Sequence, residues 1–179
     1  IQWGIFIIVY AVLAWTVFGI YRNHRNINTP EYFPDSNFRA AVERYMRVKP
    51  GGKFSAAQTA KRQSDLKCVN LNIRDLKGIE FFPRLQSLNC NENPIHQIRL
   101  TGNPNLQFLY CAGNQLTELD LSAIPQLRHL DCSRNRIGRL DISHLRDFRR
   151  LECSSNRLTE LDASQNWMLD SLICRDNAL

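Results

Sequence analysis

No Cys-x-x-Cys pair occurs among the six cysteines, no glycine-rich phosphate loop is present, and residues 1–20 carry no charged side chain. The first absence removes the usual zinc frame, because a tetrahedral ion needs ligands converging from around it. The second removes a cradle for nucleotide phosphates. The third removes the polar face that a helix on a soluble domain needs. A charge bias is also missing from most of the chain. Residues 65–179 hold fourteen Lys/Arg and fourteen Asp/Glu, so the whole +6 of the 179-residue chain sits in 22–64, where nine basic side chains face three acidic ones. Nucleic acid is excluded as a partner on that balance, since the largest folded portion is neutral. Disorder is excluded too: 44% of the residues are hydrophobic, enough to fill a core.

What is there begins with IQWGIFIIVYAVLAWTVFGI, in which only Gln2 and Thr16 are clearly polar. At about 1.5 Å per residue, such a helix covers roughly 30 Å, the thickness of a bilayer core. This predicts a transmembrane signal anchor over residues 1–21. A cleaved signal peptide fits less well, because a cut after Val12-Leu13-Ala14 leaves WTVFGIY at the mature terminus. Arg22 and Arg25 directly after the span favour the cytoplasm for that side, and the orientation stays open without the residues before Ile1. The chain starts at Ile1 and stops mid-pattern at Leu179, which predicts a fragment truncated within its C-terminal part.

Residues 22–34 have no apolar period and two prolines, Pro30 and Pro34, and read as a linker. Over 35–64 a small helical cap is expected. Asp35 or Ser36 can start a helix with Phe38, Val42 and Tyr45 on one face, and Ser55 to Gln58 matches a capping box for a second. Arg47–Gln58 fits an EF-hand frame only at Gly52 and Phe54. Its first, third, fifth and twelfth positions are Arg47, Lys49, Gly51 and Gln58, which cannot supply oxygens to a hard cation. No metal is expected.

From Cys90 onward the chain repeats every 21 residues. Cysteine stands at Cys90, Cys111, Cys132, Cys153 and Cys174, and asparagine three residues later at Asn93, Asn114, Asn135, Asn156 and Asn177. Leucine precedes each cysteine by two; five before stand Leu85, Leu106, Leu127, Phe148 and Leu169, and five after stand Ile95, Leu116, Ile137, Leu158 and Leu179. Cys68, 22 before Cys90, starts the ladder. Leu-x-Cys alternates as a strand must, so Leu and Cys point inward and the intervening residues outward. Strands related by a fixed period stack in parallel, and no single unit folds alone. The asparagine serves backbone groups where the chain turns off the strand.

The unit L-x-x-L-x-C-x-x-N-x-L-x-x-L resembles the leucine-rich repeat, specifically the 21-residue bacterial type with Cys for Leu seen in cysteine-ladder internalins. Leu71–Leu85 looks like the first repeat of such proteins. Phe33-Pro-Asp-Ser-Asn-Phe-Arg-Ala-Ala-Val42 looks like their N-terminal cap, where relatives often carry an acidic dockerin-like loop that this chain lacks. The expected architecture is a leucine-rich repeat solenoid of stacked parallel β-strands and short turns over 65–179, with a small α-helical cap and an N-terminal transmembrane helix.

Equal spacing places each cysteine at one inward site in successive coils, which favours a reduced, buried ladder over disulfides. Catalysis is not expected. His129 and Asp131 share a strand face without an oriented nucleophile, and an open repeat surface seldom shifts a pKa; no cofactor is implied. The outward columns run Ser87, Phe108, His129, Arg150, Ser171 and Asn89, Tyr110, Asp131, Glu152, Ile173. Aromatic anchors with arginine are what interface centres favour, so Phe108, Tyr110, His129, Asp131, Arg150 and Glu152 are the candidate ligand-binding residues. The function expected is a single-pass, membrane-anchored recognition module, its repeats extracellular or periplasmic, binding a protein or surface glycan. The alternatives are a spacer presenting a downstream domain and a cytoplasmic repeat sensor.

Overall fold

The computed structural model describes residues 24–179. The signal anchor expected over 1–21 lies outside the described residues, among which no helix is long and apolar enough to cross a membrane.

The cap is built on helix α1, Ser36–Met46. Asp35 starts it: Oδ1 accepts the backbone N–H groups of Asn37 and Phe38, both at 2.9 Å. Its other oxygen, Oδ2, accepts Arg74 N–H at 2.8 Å, so one carboxylate fixes both the helix start and the first coil. Phe38 and Val42 are fully buried, and Tyr45 stands edge-on to Phe82 at 5.5 Å. The helix stops at Arg47, whose φ of 58° is left-handed, and a short α2, Ala56–Thr59, follows. At its start Gln58 Oε1 accepts the Ser55 N–H at 2.8 Å.

The stretch expected to be a linker is packed from Asn26 onward. Asn26 pairs with Ser55 in an antiparallel bridge, and Ile27 N–H donates to Phe54 O at 2.9 Å. Phe33 is completely buried between Phe38, Phe54 and Phe81. Lone apolar residues between prolines have no period to reveal them, yet burying one phenyl ring contributes about 2 kcal/mol.

Six short strands follow: β1 Asp65–Lys67, β2 Ser87–Asn89, β3 Phe108–Tyr110, β4 His129–Asp131, β5 Arg150–Glu152 and β6 Ser171–Ile173. They form one parallel sheet in sequence order. The register joins Leu66, Leu88, Leu109, Leu130, Leu151 and Leu172 in a single row. The first step is one residue longer than the others, and a 3₁₀ turn at Ile79–Phe81 lies within it. Behind the sheet stand Cys68, Cys90, Cys111, Cys132 and Cys153, all buried and free. Two further apolar rows line the opposite wall: Leu100, Leu121 and Ile142, and Ile124 with Leu145.

Asparagine carboxamides join successive coils. Asn135 Nδ2 donates to Cys111 O at 2.9 Å and Cys132 O at 3.0 Å, and its Oδ1 accepts Leu116 N–H at 3.0 Å. Asn93, Asn114, Asn156 and Asn177 make the same three kinds of bond. A second set crosses at the far side of the coil, where Asn103 donates to Ile79 O and Phe82 O and Asn166 to Ile142 O and Leu145 O. The cap covers the first coil. On the last coil, Leu172 is 44% and Leu179 57% exposed, where Leu151 and Leu158 one coil earlier are at 0%.

Candidate functional site

The sheet's outer surface is positioned entirely by the row of inward leucines. Because Leu109, Leu130 and Leu151 are fixed in register, their neighbours on either side must form two straight columns on the outer face. The first column runs Asp65, Ser87, Phe108, His129, Arg150, Ser171; the second runs Lys67, Asn89, Tyr110, Asp131, Glu152, Ile173. All six candidate residues therefore lie on three adjacent strands of one face.

Phe108 and Tyr110 are half-buried. The Phe108 ring stands edge-on to the His129 imidazole, centroids 4.9 Å apart, an arrangement favoured by the ring quadrupoles. Asp131 and Glu152 are direct lateral neighbours of like charge. Each turns to its own chain: Asp131 Oδ1 accepts Ser133 N–H at 3.1 Å and Ser133 Oγ–H at 2.7 Å, and Glu152 Oε1 accepts Ser154 N–H at 3.2 Å. A diagonal Arg150–Asp131 ion pair is not among those of the described residues, which are Arg25–Glu31, Arg134–Glu92 and Arg139–Glu160. Arg128 and Arg149, just before β4 and β5, are exposed and likewise outside these pairs.

Along the edge where the strands end, every second residue after a cysteine takes a left-handed φ: Asn70, Glu92, Gly113, Arg134, Ser155 and Asp176. Only one of them is glycine, and that one has a reason. A Cβ on Gly113 would come within 2.7 Å of the Glu92 carboxylate. Glu92 crosses that space to pair with Arg134 two coils away. The sequence holds no sign of this bridge, because its ends are 42 residues apart with an unlike residue between them.

Among the described residues no group of three or more His, Cys, Asp or Glu is placed to hold a metal ion. Burial pushes the Cys68 and Cys153 thiols up to about 12 and raises Cys90, Cys111 and Cys132 as well. On the opposite surface a trough of about 640 Å³ is lined by residues including Arg99, Asp120, Asp141 and His144. His144 Nε2 there lies 3.1 Å from Leu121 O, so that ring nitrogen is occupied by the backbone.

A family model for leucine-rich repeats, two copies, matches residues 104–147. No curated protein matches the sequence. Among solved structures, an internalin (inlF) from Listeria monocytogenes is similar at a TM-score of 0.78 and 22% identity, over 86% of this chain and 46% of that one. A secreted internalin-like protein from the same organism has a TM-score of 0.71 and 20% identity, over 86% of this chain and 59% of that one. A leucine-rich repeat protein from Leptospira interrogans has a TM-score of 0.59 and 24% identity, over 69% of this chain and 33% of that one. The chain thus spans about half the length of the internalin structures it matches, or less for the third protein. With its stacked parallel strands, its 21-residue coils and these likenesses, the described chain has the fold of a leucine-rich repeat solenoid, the fold it shares with the internalin structures.

Proposed function

We propose that this chain is a membrane-anchored, extracytoplasmic recognition module that binds a protein or surface glycan through its strand face, without catalysis or cofactor. The observation that carries the reading is the half-exposed pair Phe108 and Tyr110 beside the charged strands β4 and β5. Aromatic side chains left partly open on a rigid, regular face keep apolar surface in water, and binding buries it. His129, Asp131, Arg150 and Glu152 complete the proposed contact surface. The apolar run over 1–20 supports the anchor, and likeness to a secreted internalin-like protein supports placement outside the cytoplasm.

The test is a ligand screen against surface proteins and glycans with wild type and the Tyr110→Ala and Arg150→Ala variants. Circular dichroism would check that all three remain folded. Loss of binding of about tenfold or more in either variant is expected for a contact residue. A ligand that binds all three equally places the site elsewhere. Arg22 and Arg25 beside the apolar run favour a second reading, a cytoplasmic repeat sensor. Protease accessibility on intact cells separates the two: digestion of the repeats from outside excludes the sensor.

A further inference from the structure

We infer that the strand face is built for a protein surface presenting an acidic and a basic side chain side by side, rather than for a polyanion or a neutral glycan. This rests on the reading that the strand face binds, and it chooses among that reading's ligands.

The charges on β4 and β5 are sorted along the strand. Where the strands begin stand Arg128 and Arg149, one coil apart, joined through Arg149 N–H to Arg128 O at 2.8 Å. Arg150 and His129 follow as the first outward pair, and Asp131 and Glu152 as the second. Two residues along a strand span about 7 Å, and neighbouring strands lie about 4.8 Å apart. A basic row and an acidic row therefore run side by side across both strands.

They do not neutralise each other. None of Arg128, Arg149 and Arg150 is in an ion pair among the described residues. Both carboxylates are bonded instead to the serine two residues ahead. Exposed Asp170 continues the row of Arg128 and Arg149 one coil further, its N–H on Arg149 O at 2.9 Å, so the row itself ends on an acidic group.

A uniformly negative ligand laid across this surface meets attraction at the arginines and repulsion at the carboxylates. Both fall within one screening length of about 8 Å, so the gain largely cancels. A neutral glycan covering the face desolvates these charges without pairing them, which is unfavourable. A protein that sets a carboxylate against Arg149 and Arg150 and a lysine or arginine against Asp131 and Glu152 satisfies both rows. An apolar side chain next to that dyad would meet Phe108 and Tyr110 on the adjoining strand.

The experiment uses the chain with four probes: a displayed library of random peptides, heparin, polygalacturonate and dextran as a neutral glycan. Wild type should enrich peptides in which an acid and a base alternate beside an aliphatic or aromatic residue, and should bind both polyanions more weakly than those peptides. Asp131→Asn with Glu152→Gln should weaken the selected peptides and strengthen heparin, each by about tenfold. Circular dichroism and thermal melting would establish that this variant is folded. If either polyanion outcompetes every selected peptide, if the peptides carry acids alone, or if no dyad is enriched, the inference is overturned. A neutral glycan that binds wild type and loses affinity with Tyr110→Ala also overturns it, while leaving the strand face as the binding surface.

Discussion

Asn135 and Asn28 each tie together segments that are distant in the sequence. Cys111 O and Cys132 O each accept from two carboxamides, since Asn114 and Asn156 also reach them. Leu116 N–H has Asn135 Oδ1 as its acceptor. Asn135→Ala should therefore cost about 1–3 kcal/mol, mainly by orphaning that one buried N–H. Urea unfolding measures it, and Asn177→Ala on the open last coil should cost less. In the cap, Asn28 Nδ2 donates to Glu43 Oε1 at 2.7 Å and Gly52 O at 2.6 Å, while Gly51 N–H donates to the same Glu43 oxygen at 3.1 Å. The turn between α1 and α2 is thus closed by a carboxamide. Calcium should leave the melting temperature unchanged, whereas Asn28→Ala should lower stability by about 2 kcal/mol; a calcium-dependent rise would contradict this account.

Three coils pair their cysteine with a turn of Asp-x-Ser, at Asp120, Asp141 and Asp162, and the two respond to pH at opposite ends. An unfolded thiol ionises near its ordinary 9.0, but Cys68 and Cys153 in the fold do so only near 12. Their contribution is complete below pH 9.0 and is lost as the pH rises toward 12. The denaturation midpoint should fall across that window, and fall less in a Cys68→Val/Cys153→Val variant, which cancels the share of those two thiols. Cys132→Val should be tolerated better than Cys132→Ser, because a hydroxyl there is desolvated in an apolar column. At the acid end, Ser143 N–H at 3.0 Å and Oγ–H at 2.7 Å hold Asp141 below its ordinary value. Ser143→Ala should raise the Asp141 pKa part of the way back, as read by NMR titration. Most of the fold was legible in the sequence because cysteine, leucine and asparagine recur at one spacing. Asn103 and Asn166 were not, because Ile124 and Leu145 stand between them in the same row and no residue type repeats. The left-handed positions held by Glu92, Arg134 and Ser155 were hidden for a similar reason: the coil geometry imposes the conformation on unlike side chains. The candidate face was legible as two columns, but its hydrogen bonds were not. Asp131 and Glu152 are neighbours across β4 and β5, yet each bonds to its own serine.

Over the described residues, aromatic packing in the cap seals one end of the stack, and Leu172, Ile173 and Leu179 of the last described coil are exposed. Nearest-neighbour stacking makes unfolding start where a neighbour is missing. In a polypeptide ending at Leu179, hydrogen exchange should accordingly be fastest at β6 and slowest around β3 and β4; uniform exchange along the stack would show a single cooperative block. The cap keeps Arg44, Arg47, Lys49 and Lys53 exposed, each worth up to about 1 kcal/mol at an anionic surface. Residues 22–179 should co-sediment weakly with anionic liposomes at low salt and not at high salt; salt-insensitive binding would refute this. The constant register also governs how such a chain can change length over generations. Removing residues 112–132 would set Tyr110 beside Glu152 with every inward row unbroken, since β3, β4 and β5 share one register. Removing a single residue inside a strand instead would turn the rest of that strand inside out, whereas a turn can absorb one, as the 22-residue first step does. Gains and losses of whole 21-residue turns re-deal which charges and aromatics are neighbours on the outer face while the interior stays as it was.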